Sequence, residues 1–70
     1  MGYRIVEVAQ RAPDLFDGAT EVGQYDSAYR AMEDMKRAFV ERGHMPPPWY
    51  LLDPWGHMLL GPDDLYEVAA

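Results

Sequence analysis

The chain of 70 residues contains no cysteine and no asparagine, a single lysine, a single serine and a single threonine. Without cysteine, no disulfide can staple so small a domain and no thiolate zinc site can form. Hydroxyl nucleophiles are confined to Ser27 and Thr20, and Ser27 lies where a helix cap is expected. The sequence therefore offers almost no nucleophile for a catalytic system of the Ser/His/Asp or Cys/His kind. We expect a protein that is not an enzyme and that carries no catalytic residues and no cofactor.

Long apolar runs are also missing, as is a charged start leading into an apolar signal region. These absences predict a soluble cytoplasmic protein with no membrane contact. A chain of this length is expected to form one domain over residues 1–70 with marginal stability.

Lysine and arginine are absent from residues 44–70, although that segment holds four acids, and the whole chain has a net charge of −6. Neutralisation of phosphates supplies most non-specific affinity for nucleic acid, so this composition argues against nucleic acid as a partner. A basic or cation-bearing partner is easier to accommodate. An acidic mimic of nucleic acid stays open as an alternative, although the carboxylates are scattered along the chain.

The first half of the chain predicts two strands and a helix. Residues 3–9 are rich in Ile, Val and Tyr, and residues 20–25 follow a turn signal at Asp17-Gly18, although Gly23 weakens the second strand. A helix is expected over residues 26–42 and is capped by Asp26 or Ser27. Its apolar stripe follows helical spacing and consists of Ala28, Ala31, Met32, Met35, Ala38 and Phe39. Gly43 should end the helix in a left-handed conformation, ahead of three prolines.

Residues 46–61 predict an apolar β-hairpin around the turn Asp53-Pro54-Trp55-Gly56. Asp at the first position, Pro at the second and Gly at the fourth are typical of a type I turn in a bulged hairpin. The expected register places Met58 opposite Leu52, Leu59 opposite Leu51 and Leu60 opposite Tyr50. The tail from Pro62 is expected to form a short helical turn, with an edge strand as the alternative.

Both faces of this hairpin are apolar, whereas an ordinary antiparallel hairpin has one polar face. One face carries Tyr50, Leu52, Met58 and Leu60, and the other carries Trp49, Leu51 and Leu59. We expect the helix to cover one face and the face of Trp49 to remain as a contact surface for a partner or a second copy. The predicted protein-binding residues are Trp49, Leu51, Asp53, Trp55, His57 and Leu59.

The expected fold is α+β, with an antiparallel sheet of three to four strands in the order β-(β)-α-β-β and one long amphipathic helix on one face. The expected function is that of a non-enzymatic protein-binding module: a small phage-type or regulatory inhibitor, or an accessory subunit. The alternative is a single-stranded nucleic-acid binder that stacks bases on the hairpin aromatics. Asp53, His57 and His44 lack the spacing of a metal motif, so no metal site is expected.

Overall fold

Four antiparallel strands and two helices follow one another along the chain in a computed structural model, which describes residues 2–8 and 19–69. The elements are β1 (Tyr3–Glu7), β2 (Thr20–Tyr25), α1 (Ala28–Glu41), β3 (Trp49–Leu52), β4 (Met58–Leu60), a 3-10 turn (Pro62–Asp64) and α2 (Leu65–Val68). The sheet order is β2-β1-β3-β4. The α+β class is confirmed, but α1 has only 14 residues and is shorter than the predicted span. The predicted turn at Asp17-Gly18 lies outside the described residues.

Strand β1 occupies the interior of the sheet because it pairs with β2 on one side and with β3 on the other. Its side chains alternate between the two faces, as the strand geometry requires. Ile5 joins the core beneath α1, whereas Val6 is buried on the opposite face. Because Ile5 and Val6 bury an apolar side chain on each face at the centre of β1, the strand can occupy an interior position.

Helix α1 begins at a serine cap and buries one stripe of side chains. The Ser27 hydroxyl accepts a hydrogen bond of 3.2 Å from the Arg30 backbone N–H, which satisfies one of the free donors of the first turn. Ala31, Met35 and Phe39 are spaced by four residues and are all buried. They pack against a core that includes Ile5, Leu51 and Leu65. The predicted stripe is confirmed at these three positions.

The end of α1 is a Schellman motif, as the glycine predicts. The backbone N–H of Gly43 donates to the Val40 carbonyl and that of His44 donates to the Phe39 carbonyl, at 3.0 and 2.9 Å. Gly43 and His44 both have positive φ, at 74° and 66°. The His44 ring packs edge-on against Phe39, with ring centroids 5.5 Å apart. Beyond β4 the tail is helical, as expected, and α2 packs against the same end of α1 through a second edge-on contact, Phe39 with Tyr66.

The register of the hairpin differs from the prediction beyond Met58. Leu52 pairs with Met58 as expected, but Leu51 pairs with Leu60. Leu59 is therefore the extra residue of a β-bulge, and the predicted pairs of Leu59 with Leu51 and Leu60 with Tyr50 are wrong. A bulge shifts the alternation of the strand by one residue, and it turns Leu60 toward the core, where it is partly buried.

The helix covers the face of the hairpin that was expected to stay open. Leu51 is 2 % exposed and belongs to the core under α1, and Trp49 is half-buried against the same core. The prediction that Trp49, Leu51 and Leu59 form an uncovered face is therefore wrong. The face turned away from α1 carries Leu52 and Met58. Leu52 is buried, whereas its cross-strand partner Met58 is exposed. None of the helices described is long and apolar enough to cross a bilayer.

Candidate functional site

The tip of the β3–β4 hairpin is held together by the side chain of Asp53. Its Oδ1 accepts hydrogen bonds from the backbone N–H groups of Trp55 and His57, at 2.9 and 2.8 Å. Two backbone bonds close the turn: Gly56 N–H to the Asp53 carbonyl at 3.0 Å, and Asp53 N–H to the His57 carbonyl at 2.9 Å. Gly56 has a φ of 88°, which a residue with a side chain rarely adopts. The predicted turn is confirmed, and its geometry is held both by these hydrogen bonds and by the positive φ of Gly56.

A second oxygen of the same carboxylate lies beside the imidazole of His57. Asp53 Oδ2 and His57 Nδ1 are 3.4 Å apart, and the imidazole is largely exposed. Burial alone would raise the pKa of Asp53, but the backbone N–H groups of His57 and Trp55 and the His57 ring together hold it below its ordinary value. The carboxylate is thus ionised at neutral pH and keeps accepting both backbone bonds.

Trp55 projects from this ordered tip into solvent, with 75 % of its surface exposed. Met58 and Leu59, which follow the turn, are also exposed. We name these three side chains the tip surface. A large aromatic side chain that stands in water does not contribute to the core, and the hydrogen bonds of the turn order the backbone that carries it before any partner arrives. Tryptophan is enriched among the residues that dominate binding energies, and pre-ordering lowers the entropy cost of association.

The structure divides the predicted site residues into two groups. Asp53, Trp55, His57 and Leu59 lie at or next to the tip, and their role in binding stays a prediction. Leu51 is in the core, and Trp49 donates its indole N–H to Glu7 Oε1 at 3.0 Å, which fixes its ring against β1. Sequence reasoning placed Met58 on the covered face and so missed it. Met58 is exposed because it lies on the face that α1 leaves uncovered, and Leu59 is the extra residue of the bulge. Neither position has a signal in the sequence, because every residue from Met58 to Leu60 is apolar.

Strand β4 forms one edge of the sheet, yet it offers little for a strand of another chain to pair with. It has three residues and contains the bulge at Leu59. Short length and bulges are two devices by which proteins protect sheet edges from pairing. Contacts at this edge are therefore expected through side chains rather than through an extended ladder of backbone hydrogen bonds.

A separate shallow groove of about 430 Å³ lies beside the N-terminal half of α1. Asp34 lines the groove and already has two partners. Its carboxylate accepts a hydrogen bond of 2.8 Å from the Tyr25 hydroxyl and forms an ion pair of 3.2 Å with Arg37. Burial, followed by the hydrogen bond and charge of Asp34, raises the pKa of Tyr25 to about 12. A phenol that stays protonated at neutral pH cannot act as a base there, so this network is best understood as a link between β2 and α1.

The structure does not bring Asp53, His57 and His44 together. The first two meet at the tip, but His44 packs against Phe39 at the end of α1. Among residues 2–8 and 19–69, no group of three or more His, Asp or Glu side chains could hold a metal ion.

Comparison of the chain with protein-family models, with curated proteins and with solved structures found no match.

Proposed function

We propose that this protein is a non-enzymatic protein-binding module that contacts its partner through the tip surface of Trp55, Met58 and Leu59. The observation that carries the proposal is the exposure of Trp55 on a turn fixed by the Asp53 carboxylate. Folding gains little from an aromatic ring that remains in water, whereas a partner with a complementary pocket would gain its full burial.

The role proposed is that of a small inhibitor or an accessory subunit, which needs a contact surface but no catalytic groups. Self-association through the same surface is the variant in which the partner is a second copy. The alternative of a single-stranded nucleic-acid binder loses support because Trp49, one of its stacking platforms, packs against the core and donates its N–H to Glu7. Base stacking requires an aromatic face that is open to solvent.

Affinity capture from cells that express the protein would test this proposal with three baits: the wild type, Trp55→Ala and Tyr29→Ala. Tyr29 is a large aromatic side chain exposed on α1, far along the chain from the tip, and so is a matched control. We expect a partner that is retained by the wild type and by Tyr29→Ala and lost by Trp55→Ala. With the purified partner, Trp55→Ala should weaken binding by about 2 kcal/mol, or about 30-fold in Kd.

Sedimentation velocity over a concentration series would distinguish self-association from binding to a different protein. Only self-association makes the sedimentation coefficient of the pure protein rise with concentration. Circular dichroism of Trp55→Ala should match the wild type. A variant that unfolds would place Trp55 in the core, and a partner that is bound equally by all three baits would place the contact elsewhere; either result contradicts the proposal.

A further inference from the structure

The outer edge of β2 is open to pairing with another strand. Strand β2 lies at one end of the sheet order and pairs with β1 on one side only. Among residues 2–8 and 19–69, no backbone hydrogen bond outside the regular elements involves Thr20–Tyr25. Four of the six residues of β2 are exposed. The outward N–H and C=O groups of this strand therefore lack backbone partners in the described part of the chain, and such an edge is a template for pairing.

Strand β2 is less protected against pairing than β4, the strand at the other edge. It has six residues, whereas β4 has three, and it contains neither Pro nor Lys. The residues opposite Ile5 and Val6 are not adjacent in β2, so Val22 is the extra residue of a bulge. This bulge leaves Gly23–Tyr25 as a regular stretch, whereas the bulge of β4 falls in the middle of its three residues. A ladder of backbone hydrogen bonds is therefore better accommodated at β2.

The side of the molecule that carries this edge has a balanced charge. Tyr25 of β2 donates a hydrogen bond to Asp34, so the flank of α1 that lines the shallow groove lies on the β2 side. Residues 20–37, together with Arg4, which lies 4.0 Å from Glu21, hold four acids and four bases. The rest of the chain holds eight acids and two bases and so carries the whole net charge of −6. Two copies therefore repel each other least when these sides meet.

We infer that β2 is the interface of a homodimer, in which it pairs antiparallel with β2 of a second copy and joins the two four-stranded sheets into one. A two-fold axis makes such a pair self-complementary, because each copy offers the same backbone groups to the other. With the axis at Gln24, the regular stretch Gly23–Tyr25 meets its own copy. Gln24 donates one hydrogen bond to Glu21 within the chain and keeps its carbonyl oxygen and a second N–H for the opposite Gln24. No two like charges are opposed in this register.

Sedimentation velocity and hydrogen exchange of the full chain test the inference without any variant. We expect the sedimentation coefficient to rise with concentration from that of a monomer to that of a dimer. The amides of β2 that point away from β1 should exchange more slowly in NMR spectra as the concentration is raised, while the amides of β4 keep their rates. A monomer at every concentration, or slowed exchange at β4 in place of β2, would overturn the inference.

Three variants locate the contact. Gln24→Lys places two like charges opposite each other at the axis and should raise the Kd of the dimer about fivefold or more. Met45→Lys makes the same change of charge at an exposed position between α1 and β3 and should leave the Kd unchanged. Trp55→Ala distinguishes this interface from association through the hairpin tip. Association that survives Gln24→Lys, that Met45→Lys weakens equally, or that Trp55→Ala abolishes would contradict the inference.

Discussion

The indole N–H of Trp49 donates a hydrogen bond of 3.0 Å to the carboxylate of Glu7, which joins β3 to β1 across 42 positions of the chain. The same two residues are paired in the sheet. Trp49, held by this bond, packs against the core, whereas the other tryptophan of the hairpin, Trp55, stands in solvent at the tip. The two tryptophans thus have different roles although they lie only six positions apart.

The Glu7–Trp49 bond should be measurable as a coupling energy. Glu7→Ala leaves a half-buried indole N–H without its acceptor, and Trp49→Phe removes the donor while keeping most of the ring. We expect each to lower the free energy of unfolding by about 1–2 kcal/mol, with a coupling of about 1 kcal/mol in the double variant. Urea denaturation monitored by circular dichroism would give these values. Strictly additive effects would show that the bond contributes nothing to stability.

Phe39 is the core residue whose ring contacts both His44 and Tyr66. Phe39→Ala opens a cavity under α1 and removes the ring that His44 and Tyr66 contact, so it should lower the free energy of unfolding by about 3–5 kcal/mol. That is a large part of the total for a small domain. Its neighbour Val40 is exposed, and Val40→Ala should change stability by no more than about 0.5 kcal/mol. Thermal unfolding of both variants is the measurement; equal midpoints would contradict the burial of this stripe.

Acid should loosen the hairpin tip through Asp53. Its pKa lies below the ordinary value of 3.8, so the ionised carboxylate stabilises the tip at any pH above that value, and this contribution is lost as the pH falls through the lowered pKa. The amide signals of Trp55 and His57, whose N–H groups bond to the carboxylate, should report this step in an NMR titration. Asp53→Asn should abolish the step. A midpoint above the ordinary value would contradict the hydrogen bonds at the tip.

Tyr25 should lose its phenolic proton at a higher pH than an ordinary tyrosine. Its pKa is raised from 10.0 to about 12 by burial, by its hydrogen bond to Asp34 and by the charge of that carboxylate. The neutral phenol therefore stabilises the fold fully below pH 10, and the contribution is lost as the pH rises toward 12.

Ultraviolet absorbance of the phenolate, as the difference between the wild type and Tyr25→Phe, measures this ionisation. Asp34→Asn should lower the pKa of Tyr25 toward its ordinary value, although burial still raises it. A Tyr25 that ionises together with the other tyrosines would show that the link between β2 and α1 is open in solution.

Much of the local structure could be predicted because its causes lie within a few residues. The Ser27 cap, the left-handed Gly43, the buried spacing of Ala31, Met35 and Phe39, and the turn closed by Asp53 each depend on neighbours in sequence. The caps and the turn in this group are held by hydrogen bonds that close over short distances along the chain. The sequence by itself determined where strands, helix and turn occur.

Only the tertiary structure decided which hairpin face α1 covers. Apolar residues on both faces of a strand remove the alternation of apolar and polar residues that normally determines which face is buried. A bulge of one residue reverses which side chains face the core, and in an all-apolar strand the sequence does not reveal it. Leu51 and Leu59 are both leucines of one predicted face, yet Leu51 lies in the core and Leu59 in solvent. Their difference arises from packing against Ile5 and α1, which are contacts between distant parts of the chain and leave no trace in the local pattern.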